Sequence, residues 1–182
     1  MTRRQMLLRS AGGFVIVALA APFAGQRPAL AIGPDQQQAE LANALGGAKV
    51  SLRQGLTASE REGQPISGKF EMDEGNLQLS VYTAKEGKFY EVIVDHMTGA
   101  VAKVEPITEG EDLAHAKSQK AAMDRTKVKL ADAATKAKGQ AKGEAADVRV
   151  VSAIPELKDD RPEATIVLLQ AKKFSTASER LD

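Results

Sequence analysis

Between Ile66 and Val94 the side chains alternate in character with a period of two, which is the repeat of a half-buried β-strand. Ile66, Gly68, Phe70 and Met72 alternate with Ser67, Lys69, Glu71 and Asp73. After the turn "DEGN" (73–76), Leu77, Leu79 and Val81 alternate with Gln78, Ser80 and Tyr82. "AKEGK" turns the chain again, and Tyr90, Val92 and Val94 form the inner row of a third strand. Past Gly99, "AVAKVEPI" reads as a fourth, stopped by Pro106. Such short turns allow only an antiparallel meander, because parallel neighbours need a long crossover. A single apolar face calls for a helix layer on one side and for water, or a partner, on the other.

The materials for a core are modest. Hydrophobic residues make up 43% of the 182, yet aromatics make up only 4% and there is no Trp, so packing rests on Val, Leu, Ile and Ala. There is no Cys, which excludes disulfides, thiolate nucleophiles, Cys-ligated metals and a lipoprotein Cys anchor. Of the 25 Lys and Arg, four precede residue 32, where there is no acid; the remaining 21 face 24 Asp and Glu, a net of −3. That near-neutral balance gives no electrostatic reason to expect nucleic acid.

Residues 1–31 read as a signal peptide. A basic start with Arg3-Arg4 leads into an apolar stretch from Phe14 to Ala21, and Ala29-Leu30-Ala31 gives the small-x-small pattern of a cleavage site. The apolar run falls short of the about 20 residues that span a bilayer. Arg3 and Arg4, with Gly12-Gly13 diluting the apolar stretch, resemble a twin-arginine export signal; a general secretory signal with two incidental arginines is the alternative. Either destination is the periplasm, and neither implies redox chemistry.

The rest divides into three parts. Residues 32–107 hold a short helix near Asp35 closed by Gly46-Gly47, a second helix capped by Ser51, and the meander. Residues 108–126 read as a connecting helix with a weak apolar stripe. Residues 127–182 repeat the first pattern in degenerate form: "KVKLADAATKAKGQ" lies on "KVSLRQGLTASEREGQ", and "DVRVVSAI" and "EATIVLLQAKKFSTA" follow as strands. The fold class is therefore α+β, short helices packed on antiparallel meanders, twice. Chance likeness between Ala/Lys-rich helices is the alternative to a true repeat.

The stretch 51–107 resembles a PepSY domain. The features that carry the resemblance are the short helix with its Gly, the alternating strand, the Tyr-Glu-Val-x-Val-Asp strand (90–95), and Thr98-Gly99-x-Val101. The second half departs from the pattern in lacking Asp-x-x-Thr-Gly. PepSY domains are small α+β modules of exported proteins and of secreted metallopeptidase propeptides. The resemblance implies a non-enzymatic role in binding or restraining a periplasmic peptidase or other protein.

The candidate chemistry is sparse. Asp95-His96 in a strand register point to opposite faces, and the only other His is His115, so a metal site would need distant groups. Asp, Thr and Gly at 95–99 suit a turn, with Asp accepting from nearby N–H groups and Gly at positive φ. "GQPISGKF" (63–70) mimics a phosphate loop but carries Phe70 at the hydroxyl position and precedes a strand instead of a helix. No G-x-S-x-G occurs. The sequence points to no catalytic residue, no cofactor and no nucleic-acid partner. Tyr82, Phe89 and Ile93 fall on the face opposite the main apolar rows, so something covers them: the second half, the connecting helix, or a bound protein. The reading is an exported, non-catalytic binding module. A metal-binding periplasmic protein using His96 and His115, or a scaffold tethered by an uncleaved signal, is the alternative.

Overall fold

The computed structural model describes residues 33–141 and 147–182. The signal-peptide assignments at Arg3, Arg4, Ala29 and Ala31 lie outside them.

Helix α1 (Pro34–Leu45) buries Ala42 and Leu45. Helix α2 (Leu52–Ser59) opens on a capping box, in which the Ser51 hydroxyl accepts from Gln54 N–H at 3.3 Å and Ser51 N–H donates to Gln54 Oε1 at 2.9 Å. Strands β1 (Gln64–Asp73), β2 (Asn76–Lys85), β3 (Lys88–Val94) and β4 (Val101–Ile107) follow. Helices α3 (Gly110–Met123) and α4 (Leu130–Gln140) lead to β5 (Val148–Lys158), β6 (Arg161–Gln170) and β7 (Lys173–Arg180).

The seven strands form one antiparallel sheet in the order β4-β3-β2-β1-β5-β6-β7. The first strand of each meander meets the other at the centre, with Gly68 opposite Ala153 and Lys69 opposite Ser152. The two meanders therefore spread outward from that seam and leave β4 and β7 as edges. Four of the hairpins turn on two residues that both have positive φ: Glu74-Gly75, Glu86-Gly87, Asp159-Asp160 and Ala171-Lys172. That is the handedness which matches the twist of the flanking strands. Pro106 does not stop β4, which runs on to Ile107. An edge strand tolerates the missing N–H because nothing pairs with its outer side.

Two glycines set the distance between α2 and the sheet. A Cβ on Gly68 would lie 3.0 Å from Leu56 Cδ2, and one on Gly55 would lie 2.5 Å from Leu79 Cδ2. The register carries this helix-facing row across the sheet, Gly68–Val81–Val92 and Phe70–Leu79–Val94, and the apolar members are all buried. Helix α4 packs beside α2 and over β5–β7, burying Leu130 and four alanines.

The opposite face is not left to solvent. Ser67 and Tyr82 face each other across β1 and β2, one residue out of phase with Gly68 and Val81. Ser67 Oγ donates to Gln119 Oε1 at 2.7 Å and Tyr82 OH donates to Asp112 Oδ1 at 2.8 Å, both acceptors on α3. Helix α3 therefore lies across the side away from α2. Of the covers that the sequence offered for Tyr82, the connecting helix is the one found. Helix α3 buries Ala116, Gln119, Ala122 and Met123, a small and partly polar set that gives no apolar stripe.

The chain end is tied in. Leu181 is fully buried; its N–H donates to Pro162 O at 2.9 Å, and its carbonyl accepts from Lys127 N–H at 3.1 Å and Thr126 Oγ1 at 2.6 Å.

Candidate functional site

The Asp95 corner is built by its own backbone. Asp95 Oδ1 accepts from Met97 N–H and Thr98 N–H, each at 2.8 Å. Asp95 N–H donates to Ala100 O and Gly99 N–H donates to Asp95 O, both at 2.8 Å, with Gly99 at φ 79°. The two N–H donors hold the Asp95 carboxyl below the usual carboxylate range. The His96 carbonyl accepts from Lys49 N–H and Val50 N–H, both at 3.0 Å, and so fastens the α1–α2 link to this corner. The His96 ring is half-buried, with Nδ1 unpartnered among the described residues. His115 sits on α3. Among the described residues no three His, Asp or Glu side chains converge as metal ligands. The phosphate-loop look-alike lies largely within β1 as extended strand. Among the described residues no helix is long and apolar enough to cross a membrane.

The register places Tyr82, Phe89 and Ile93 on one face, with Tyr82 opposite Glu91 and the other two flanking Glu91 on β3. Their environments differ. Tyr82 is only 3% exposed. Burial, the hydrogen bond to Asp112 and the carboxylates of Glu91 and Glu71 push its phenol far above the ordinary value. Phe89 is half-buried opposite Ala84 and Ile107. Ile93 is half-buried opposite Ser80 and Lys103. Around them Ser80 Oγ donates to Glu91 Oε1 at 2.5 Å, and Lys69 and Lys103 pair with Glu71 and Glu105 at 2.6 and 2.7 Å.

Ile93 also belongs to a groove of about 350 Å³ between the β1–β2 and β3–β4 turns. Its apolar lining is Leu77, Ile93, Val94 and Ala102, and the carboxylates of Asp73, Glu74 and Asp95 stand along it. The groove exists because β3 leaves the ladder early. The last β2–β3 pair is Leu79 with Val94, so Asn76, Leu77 and Gln78 pair with β1 on one side and have no β3 partner on the other. Asp95 causes the departure by drawing the chain into its own turn. The exposed large apolar residues of the described chain, Met97 at 42% and Val104 at 39%, lie on that turn and on the adjoining β4. A second cavity, about 340 Å³, lies between the end of α2 and residues 126–131, lined by Leu56, Met123 and Leu130.

Sequence reasoning placed Ile93 and Asp95 separately and did not join them. The early end of β3 was visible in the Asp-x-x-Thr-Gly turn, but the overhang of β2 follows only from the register. Asp112 and Gln119 carried no signal, since each is a polar residue on a polar helix. No protein-family model, curated protein or solved structure matches the chain.

Proposed function

We propose that this is an exported, non-catalytic binding module of PepSY-like build, duplicated within the chain, that contacts a periplasmic protein such as a peptidase. The observation that carries the reading is apolar surface left uncovered at the β3–β4 margin of the sheet: Met97 on the turn and Val104 on β4 are exposed, and Ile93, on the other face from Val104, is half-buried in the groove. Exposed apolar residues beside a groove and a free sheet edge suit a protein contact. Tyr82 is committed to α3 and is left out of the contact surface. The duplication is supported by the order of elements, two helices and then a meander in each half, and by the meeting of the two first strands at the seam. Export rests on the sequence of residues 1–31 alone.

The test is capture from periplasmic extract with wild-type chain and with Ile93→Ser and Met97→Ser variants matched for thermal stability. A protein retained by wild type and lost with both variants is the expected result. An identical retained set for all three chains removes this margin from the function. Fractionation of an Arg3-Arg4→Lys-Lys variant reports the export route: retention in the cytoplasm supports the twin-arginine signal.

A further inference from the structure

The overhang of β2 narrows the kind of partner. We infer that the groove at the β2–β3 end receives an extended segment of a partner protein in which an apolar side chain is flanked by Lys or Arg. The inference rests on the binding-module reading above and specifies its ligand.

Three features converge there. Along residues 76–78 the main-chain groups that point away from β1 have no β3 partner, so an extended segment continues the sheet where β3 stops. Leu77 on one face of the sheet and Ile93 on the other are half-buried apolar neighbours for a strand added there, with Ala102 exposed beside them and Val94 buried beneath. Asp73 and Glu74 are exposed on the β1–β2 turn, and Asp95 faces them from the opposite turn. None of these three carboxylates has a salt-bridge partner among the described residues, whereas the nearby Glu71 and Glu105 are paired with Lys69 and Lys103. Asp95 accepts from the N–H groups of Thr98 and Met97 and from the Thr98 side chain, all in its own turn, and these hold its carboxyl below the usual carboxylate range. The groove thus offers apolar contact on either face and negative charge from both turns, and it selects against acidic segments by like-charge repulsion as much as it favours basic ones. The opposite edge of the sheet, β7, has no comparable combination: its strand is Lys173–Arg180, with a cation at each end.

The experiment uses two fluorescein-labelled peptides of alternating pattern, one Lys/Leu and one Glu/Leu, of equal length and apolar content. Binding to the purified chain is followed by anisotropy and by amide shifts. The Lys/Leu peptide alone is expected to bind, with shifts confined to residues 73–78 and 93–102, and more weakly in high salt. Asp73→Asn with Glu74→Gln should weaken it about three- to tenfold, the size expected of two exposed ion pairs. Both positions are exposed turn sites, and unchanged unfolding curves confirm that the fold is intact. Equal binding of both peptides, binding of neither, or shifts elsewhere overturns the inference. If neither peptide binds while Ile93→Ser still abolishes capture of a periplasmic protein, the binding-module reading stands and only the cationic segment falls.

Discussion

Replacing Thr83 by Val should make the protein more stable. Thr83 is fully buried on the helix-facing row of β2, and its Oγ1 has no hydrogen-bond partner among the described residues. Its neighbour across the β1 pairing is Pro65, which has no N–H to offer. In the unfolded chain that hydroxyl is hydrated, and folding strips the water without replacing it, at a cost of about 1–3 kcal/mol. Valine keeps the branched outline, fits a strand equally well, and puts a methyl group where the orphaned oxygen stood. The net gain is about 1–3 kcal/mol, since the methyl adds burial and the hydroxyl loses no bond. For a chain of this size each kcal/mol moves the melting temperature by about 2–4 °C. Urea unfolding followed by circular dichroism should show a higher midpoint with an unchanged slope, the mark of altered stability without altered compactness. Thr83→Ala separates the two contributions, because it removes the same oxygen but leaves a void, and it should fall below Val. A midpoint for Thr83→Val at or below wild type would refute the reasoning and mean that the hydroxyl is bonded in solution.

Tyr82→Phe should cost about 1.5–3 kcal/mol at neutral pH, the range for a hydrogen bond to a charged acceptor, and should speed amide exchange along α3. The folded state favours the neutral phenol, so its contribution is complete below the ordinary tyrosine range near about 10 and is lost as pH climbs above it. Unfolding curves at neutral and alkaline pH should therefore fall less steeply with pH for the variant. Leu181→Ala should cost about 2–5 kcal/mol by emptying a fully buried site, although it lies one residue from the chain end. A melting curve within 2 °C of wild type, against the ~2–4 °C per kcal/mol expected, would show that the terminal anchor is dispensable.

The first meander was legible because its apolar residues alternate and its turns carry glycine. Glu74-Gly75 and Glu86-Gly87 advertise the positive φ that the hairpins need. The β6–β7 turn does not. Ala171 and Lys172 both adopt positive φ without a glycine, asparagine or aspartate between them, so nothing local marks the bend. Tertiary pairing of eight β6–β7 residue pairs, Glu163 with Arg180 through Gln170 with Lys173, holds what the turn residues disfavour. The joining of β1 to β5 was likewise invisible. Its register is set by Gly68 and Ala153, whose small size carries no pattern of its own.

Why the sequence offered three covers for the outer face without choosing among them has the same origin. A helix that docks through Leu52 and Leu56 announces itself by spacing, but α3 docks through alanines and through Asp112 and Gln119, which look like solvent residues. The sheet beneath it is matched in kind, with Ser67 and Tyr82 as donors in a row of alternating polar residues. Polar-to-polar docking lowers no local hydrophobic signal, because both partners read as wet. Once α3 is placed, the row that seemed to be one surface divides: Tyr82 is consumed internally and Ile93, at the other end of β3, is not. The division falls where β3 quits the sheet, so the turn that looked like a mere corner at Asp95 is what leaves β2 unpaired and opens the groove. A substitution that lets β3 run on past Val94 would close the groove and spare the core, and that is the physical link between the corner and a binding role.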